Sequence, residues 1–138
     1  MKHFLALPSA LALMAATVPP VAVETATGDW SKLPTLSQRG YDHLSTKVML
    51  KLHELTKQHQ CQLSEYVGNR LNFGMTFAAQ FDPDGSLRRV VIPKLNCPEA
   101  EGVVGGALLE MIQAGDYRPT GKNPDGWYRG NFSFTYEG

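Results

Sequence analysis

The run Phe73-Gly74-Met75-Thr76-Phe77-Ala78-Ala79-Gln80-Phe81-Asp82-Pro83-Asp84-Gly85-Ser86-Leu87-Arg88-Arg89-Val90-Val91-Ile92 decides the fold of this chain. Phe73, Met75, Phe77, Ala79 and Phe81 alternate with Gly74, Thr76, Ala78 and Gln80. A period of two predicts a β-strand with its aromatic residues on one face. Asp82-Pro83-Asp84-Gly85 then predicts a tight turn. Proline presets φ, the Asp side chains accept from nearby backbone N–H groups, and glycine tolerates positive φ. Leu87 to Ile92 returns as a second strand, so the run is a β-hairpin. Arg88 and Arg89 fall on its opposite faces, so at least one must reach water.

Downstream, the pattern changes to a helix. Pro98 suits the first turn, with Asn96 or Cys97 as N-cap, and Glu99 and Glu101 suit the positive end of the helix dipole. Ala100, Val103, Ala107, Leu108, Met111 and Ile112 form one stripe, and Gly115 ends the helix. Gly102, Gly105 and Gly106 each weaken it by about 1 kcal/mol relative to Ala. A loop follows from Thr120 to Gly126. Trp127 to Tyr136 reads as a strand, with Tyr128, Phe132, Phe134 and Tyr136 on one face and Asn131, Ser133 and Thr135 on the other.

Upstream, Leu44, Val48, Leu52 and Leu55 recur at helical steps, which predicts a helix from about Asp42 to Gln58. Leu63, Tyr66 and Val67 either extend it or form a separate turn before Gly68-Asn69. Residues 24–40 carry no sustained apolar period and read as a linker. Lys2 and His3 precede an uncharged run from Phe4 to Val23, whose core has the length of a signal-peptide apolar region. Residues 1–23 are therefore expected to direct export, with 41–138 as the folded domain. The rival reading is an uncleaved membrane anchor. Pro8, Pro19 and Pro20 oppose it, because proline inside a helix costs about 3 kcal/mol.

Length and composition agree with one exported domain. The chain has 138 residues, 43% hydrophobic and 19% charged, with 13 basic residues against 13 acidic ones. A balanced charge argues against electrostatic capture of nucleic acid or of an anionic membrane. In an oxidising compartment Cys61 and Cys97 are expected to form a disulfide. The other reading is two unpaired thiols.

The segment from Phe73 to Tyr136 resembles the C-terminal domain of TonB and, more loosely, that of TolA. The likeness rests on the aromatic-alternating strand running into Asp82-Pro83-Asp84-Gly85 and on the Ala/Leu-rich helix ending in Gly115-Asp116-Tyr117-Arg118-Pro119. The final strand of alternating aromatics, Asn131 to Tyr136, completes it, and a cysteine pair joining the start of the sheet region to the start of the second helix is similar to TolA. TonB and TolA couple a membrane motor to this domain through a long linker. Here about 17 residues separate Val23 from Tyr41, ~60 Å at full extension, and no Pro-Lys or Pro-Glu repeat is present. The resemblance therefore implies the fold and a binding mode, not motor-driven transduction, although transmembrane transport is the setting in which these families act. In TonB-like domains a partner peptide adds as a strand to the sheet edge. By that analogy Asn131, Phe132, Ser133, Phe134, Thr135 and Tyr136 are the partner-binding residues. Without the analogy they are an ordinary core strand.

Other chemistry is poorly supplied. His43, His53 and His59 stand ten and six residues apart, which does not place ligands on one helix face. Asp82-x-Asp84-Gly85 opens like a calcium loop but lacks the remaining ligands. No nucleophile motif and no phosphate loop is present. Tyr117, Arg118, Trp127 and Arg129 set two guanidinium groups among aromatics, suited to a carboxylate or glycan, or to stacking on rings.

The expectation is an α+β domain in the order α-β-β-α-β, with a three-stranded sheet and both helices on one face. It is a periplasmic or secreted, non-enzymatic protein-binding module needing no cofactor and no metal. Its partner is an envelope protein or peptide, and an open edge also admits an edge-paired homodimer. The alternative is a small secreted enzyme or ligand-binding protein using the Arg118/Trp127/Arg129 region.

Overall fold

A computed structural model describes residues 21–39, 46–58, 61, 66–67, 70–121 and 123–137. The leader run from Phe4 to Val18, the start of the expected first helix and Leu63, Gly68 and Asn69 lie outside these residues. The chain is α+β. Its elements are β1 (Val23–Thr25), β2 (Ser37–Gln38), α1 (Thr46–Lys57), β3 (Tyr66–Val67), β4 (Arg70–Phe81), β5 (Leu87–Ile92), α2 (Pro98–Gln113), β6 (Tyr117–Arg118) and β7 (Trp127–Glu137).

The hairpin forms as its sequence demands. β4 pairs antiparallel with β5, from Ala78 opposite Val91 to Phe81 opposite Leu87. The Asp82 N–H donates to the Ser86 carbonyl at 2.8 Å, and Asp84 accepts from the Ser86 N–H at 2.9 Å. Gly85 takes φ +89. β7 returns on the other side of β4 and pairs with it antiparallel without interruption, from Trp127 opposite Gln80 to Glu137 opposite Arg70.

The three expected strands thus lie side by side, β5-β4-β7, in a larger, mixed sheet. Its path runs β1-β5-β4-β3, with β7 on the free side of β4, and β2 pairs with β6 in a second, two-stranded sheet. The expected three-stranded sheet is too small for a physical reason. β1, β2, β3 and β6 are two or three residues long, below the length at which alternation can be recognised. The 24–40 stretch is where composition and structure differ most. It carries β1, which pairs parallel with β5 (Val23 opposite Val90), and β2, which pairs with β6 (Ser37 opposite Arg118). Its side chains are largely exposed, so its polar composition hides backbone pairing.

One core lies between the sheet and the helices. Phe73, Phe77, Ala79, Phe81, Val90, Ile92, Tyr128 and Phe132 supply the sheet face. Leu52 and Leu55 of α1 and Ala100, Val104, Ala107, Leu108, Met111 and Ile112 of α2 cover it. Phe77 is central. Its ring meets Tyr117 edge-on at 5.0 Å and lies over Gly130, where a Cβ would come within 2.7 Å of its Cε1. Glycine at 130 makes room for the aromatic at 77.

α2 begins at Cys97 as N-cap and Pro98, with Glu99 and Glu101 in its first turn. The Glu101 carboxylate accepts from the Leu95 N–H at 2.7 Å, which holds the incoming chain. Gly115, at φ +89, closes the helix: its N–H donates to the Ile112 carbonyl and the Asp116 N–H to that of Met111. Cys61 and Cys97, both buried, form a disulfide with 5.6 Å between Cα atoms, joining the exit of α1 to the start of α2.

Candidate strand-addition edge

β7 has one flank on β4 and one flank outward. The direction of its outward groups is fixed at Arg129. The Arg129 N–H donates to the Pro34 carbonyl at 2.9 Å, and the Leu36 N–H donates to the Arg129 carbonyl at 2.8 Å. Both partners lie off the β4 side, so Arg129 faces the outer flank. Antiparallel ladders alternate, and the β4–β7 register has no shift. Asn131, Ser133 and Thr135 therefore also turn their N–H and C=O groups outward.

The next outward carbonyl, Asn131, accepts from the Tyr117 hydroxyl at 2.7 Å. Burial, and after it the neighbouring Asp116 charge, pushes the Tyr117 hydroxyl up to about 12, so it stays a donor through the physiological range. Among the described residues, nothing bonds the N–H of Asn131 or the N–H and C=O of Ser133 and Thr135.

The side chains leave this flank accessible. Asn131, Ser133 and Thr135 are exposed, on the face away from the helices, while Phe132 is buried in the core. Thr76 donates to the Asn131 side chain and Thr135 to that of Asn72, each at 3.0 Å across the β4–β7 pair. These bonds flatten the polar groups onto the sheet. Phe134 and Tyr136 occupy register positions opposite Phe73 and Leu71.

From Gly130 to Tyr136 there is no Asp, Glu, Lys, Arg or Pro. Edge strands usually carry such residues or stay very short to prevent pairing with other chains. The opposite edge does both. β1 has three residues, and its Glu24 binds Arg89 through two 2.9 Å hydrogen bonds.

Comparison with models of protein families, with curated proteins and with solved structures finds no match to this chain.

The second candidate group does not converge. Tyr117 is buried on the helix side of the sheet. Trp127 and Arg129 lie on the opposite face. Arg89 stands 5.3 Å over the Trp127 ring, and the Arg129 Nε donates to the Leu33 carbonyl at 3.0 Å. Arg118 is exposed, with its Nε donating to the Gly115 carbonyl at 3.2 Å, across the C-terminus of α2. Tyr117 and Arg118 line an open groove of about 870 Å³, floored by Phe81, Ile112 and Tyr128, which neither Trp127 nor Arg129 reaches.

Among the described residues no three His, Cys, Asp or Glu side chains cluster. His53 is buried in α1, whereas His43 and His59 lie outside the described residues. Asp82 and Asp84 are held in their turn by Ser86.

Sequence reasoning missed the hook that Pro34, Thr35 and Leu36 form on β7 and the hydroxyl cap from Tyr117. The available signal was Leu36, one of the few apolar residues of 24–40, which is 4% exposed.

Proposed function

We propose that this chain is an exported protein-binding module that takes up an extended segment of an envelope partner along the outer edge of β7. The observation that carries this reading is the row of outward backbone groups at Ser133 and Thr135, in a stretch of β7 from Gly130 to Tyr136 that carries no charge and whose Asn131, Ser133 and Thr135 side chains are exposed. An extended peptide satisfies such groups by adding a strand, with main-chain hydrogen bonds supplying affinity and alternate side chains supplying selectivity. The TonB-like pattern of the sequence supports the same mode, without motor coupling.

The disulfide supports an extracytoplasmic location, since such bonds persist in oxidising compartments. Among the described residues no helix is long and apolar enough to cross a membrane. The expected cleavage point after Val23 falls inside β1. Processing that preserves the sheet therefore cuts upstream of Val23, whose side chain packs beside Gly105 of α2.

The test is affinity capture from envelope extract, with Ser133→Pro as a parallel bait. The Ser133 N–H points outward, so proline deletes an edge donor and leaves the β4–β7 ladder bonds in place. After circular dichroism confirms the variant's fold, a partner held by the parent and lost by the variant supports strand addition. A partner held equally by both overturns it.

A further inference from the structure

The segment from Ala26 to Gln38 is a strap whose end occupies part of the partner's place. β1 lies on the free side of β5, whereas Pro34 to Leu36 lie on the outer side of β7. Residues 26–33 must therefore traverse the width of β5, β4 and β7, at ~4.8 Å per strand. Helices cover one face. Arg129, on the other face, donates to the Leu33 carbonyl, so the strap crosses there. Ala78 and Val91 oppose each other in register and point to that face. Both are buried, at 1% and 7% exposure, yet neither belongs to the helix-side core. A crossing segment accounts for that burial.

The strap ends as a strand already added to the edge. Thr35 bridges Arg129 in parallel, with the Pro34 carbonyl and the Leu36 N–H completing the pattern. Thr120 donates to the Thr35 carbonyl at 2.7 Å. Of residues 34–39 only Leu36 is buried. The hold consists of two ladder bonds, one apolar side chain and a few side-chain bonds, on a neighbouring sheet of two residues per strand. An incoming strand offers the same two ladder bonds.

We infer that residues 33–38 are a built-in competitor for the partner strand, an inference that rests on the strand-addition reading above. Docked, the strap confines the partner to the edge beyond Asn131. Released, it frees the Arg129 N–H and C=O as well. Apparent partner affinity then scales with the fraction of molecules whose strap is released.

The test uses the full chain, labelled for NMR, and a synthetic peptide of residues 32–39 as the probe. Leu36→Ser loosens the strap without replacing any residue of β7. The peptide is expected to shift the Arg129 amide of this variant at concentrations about tenfold lower than it needs with the parent, whose edge is occupied in cis. Equal titrations of both chains overturn the inference. Hydrogen exchange in the parent is a second readout that needs no variant. The Leu36 and Arg129 amides are expected to exchange at least about a hundredfold faster than those of Ala79 and Val90, through local opening. Exchange of all four at one rate overturns the inference as well. Ser133→Pro separates the two proposals. If it abolishes partner capture while the peptide titrates parent and Leu36→Ser chains equally and the four amides exchange at one rate, strand addition stands and the strap's role falls. If the strap peptide titrates as expected but Ser133→Pro keeps its partner, the strap is releasable, but its role as competitor falls together with strand addition.

Discussion

The Tyr117 hydroxyl donates to the Asn131 carbonyl at 2.7 Å, so a residue of the short β6 strand closes one acceptor on the outer flank of β7. The same ring packs edge-on against Phe77. A core aromatic thus sets where the open edge begins.

Tyr117→Phe keeps the ring and removes the cap. The expected cost is ~0.5–1.5 kcal/mol, the usual net contribution of one hydrogen bond, measured by urea unfolding. The freed carbonyl lengthens the open edge, so partner capture rises where strand addition holds.

The same hydroxyl gives an alkaline signature. Its pKa is pushed up to about 12, mainly by burial, against 10 for the unfolded chain. The folded state therefore holds the proton more tightly. This contribution is complete below pH 10 and is lost as pH rises from 10 towards 12. Parent and Tyr117→Phe chains should converge in stability across that window in pH-dependent thermal melts.

At the acidic end, the Arg89 guanidinium hydrogen-bonds the Glu24 carboxylate and holds it below the usual glutamate value of 4.5. A depressed carboxylate stabilises the fold above its unfolded pKa, and that contribution fades as pH falls through the folded value. Glu24→Gln should flatten this part of the acid limb and weaken amide protection in β1, with a small effect because the pair is exposed.

Gly130→Ala places a methyl group against the Phe77 ring. Overpacking at a filled core position costs ~1–3 kcal/mol. Thermal unfolding should show the loss, and the Phe77→Leu background, with a smaller side chain, should recover part of it.

Replacing Cys61 and Cys97 by Ser opens a loop with a sequence separation of 36. The chain-entropy relation gives ~3–4 kcal/mol for such a loop. Urea midpoints of parent and double variant test it. A parent chain whose midpoint is insensitive to reductant contradicts the expectation.

Much of this molecule was legible in advance because its long elements are periodic. The alternation at Phe73 to Phe81, the Asp82-Pro83-Asp84-Gly85 turn, the Pro98 helix start and the Gly115 stop all map onto β4, its turn and α2. The cysteine pair was legible from its number and context. β1, β2 and β6 were not, because two or three exposed residues leave no period to read.

The candidate edge divides in the same way. Sequence alone determined that β7 alternates aromatic and small polar residues and lacks charge from Gly130 to Tyr136. A period of two assigns each side chain to a face, and composition shows that nothing repels a neighbour. Only the tertiary structure decided which flank of β7 meets β4, that Leu36 and Tyr117 fill the outer flank as far as Asn131, and that Ser133 and Thr135 lie beyond them. The reason is that backbone N–H and C=O groups are the same at every residue but proline. Their partners are set by where distant segments pass, and no residue type records that path.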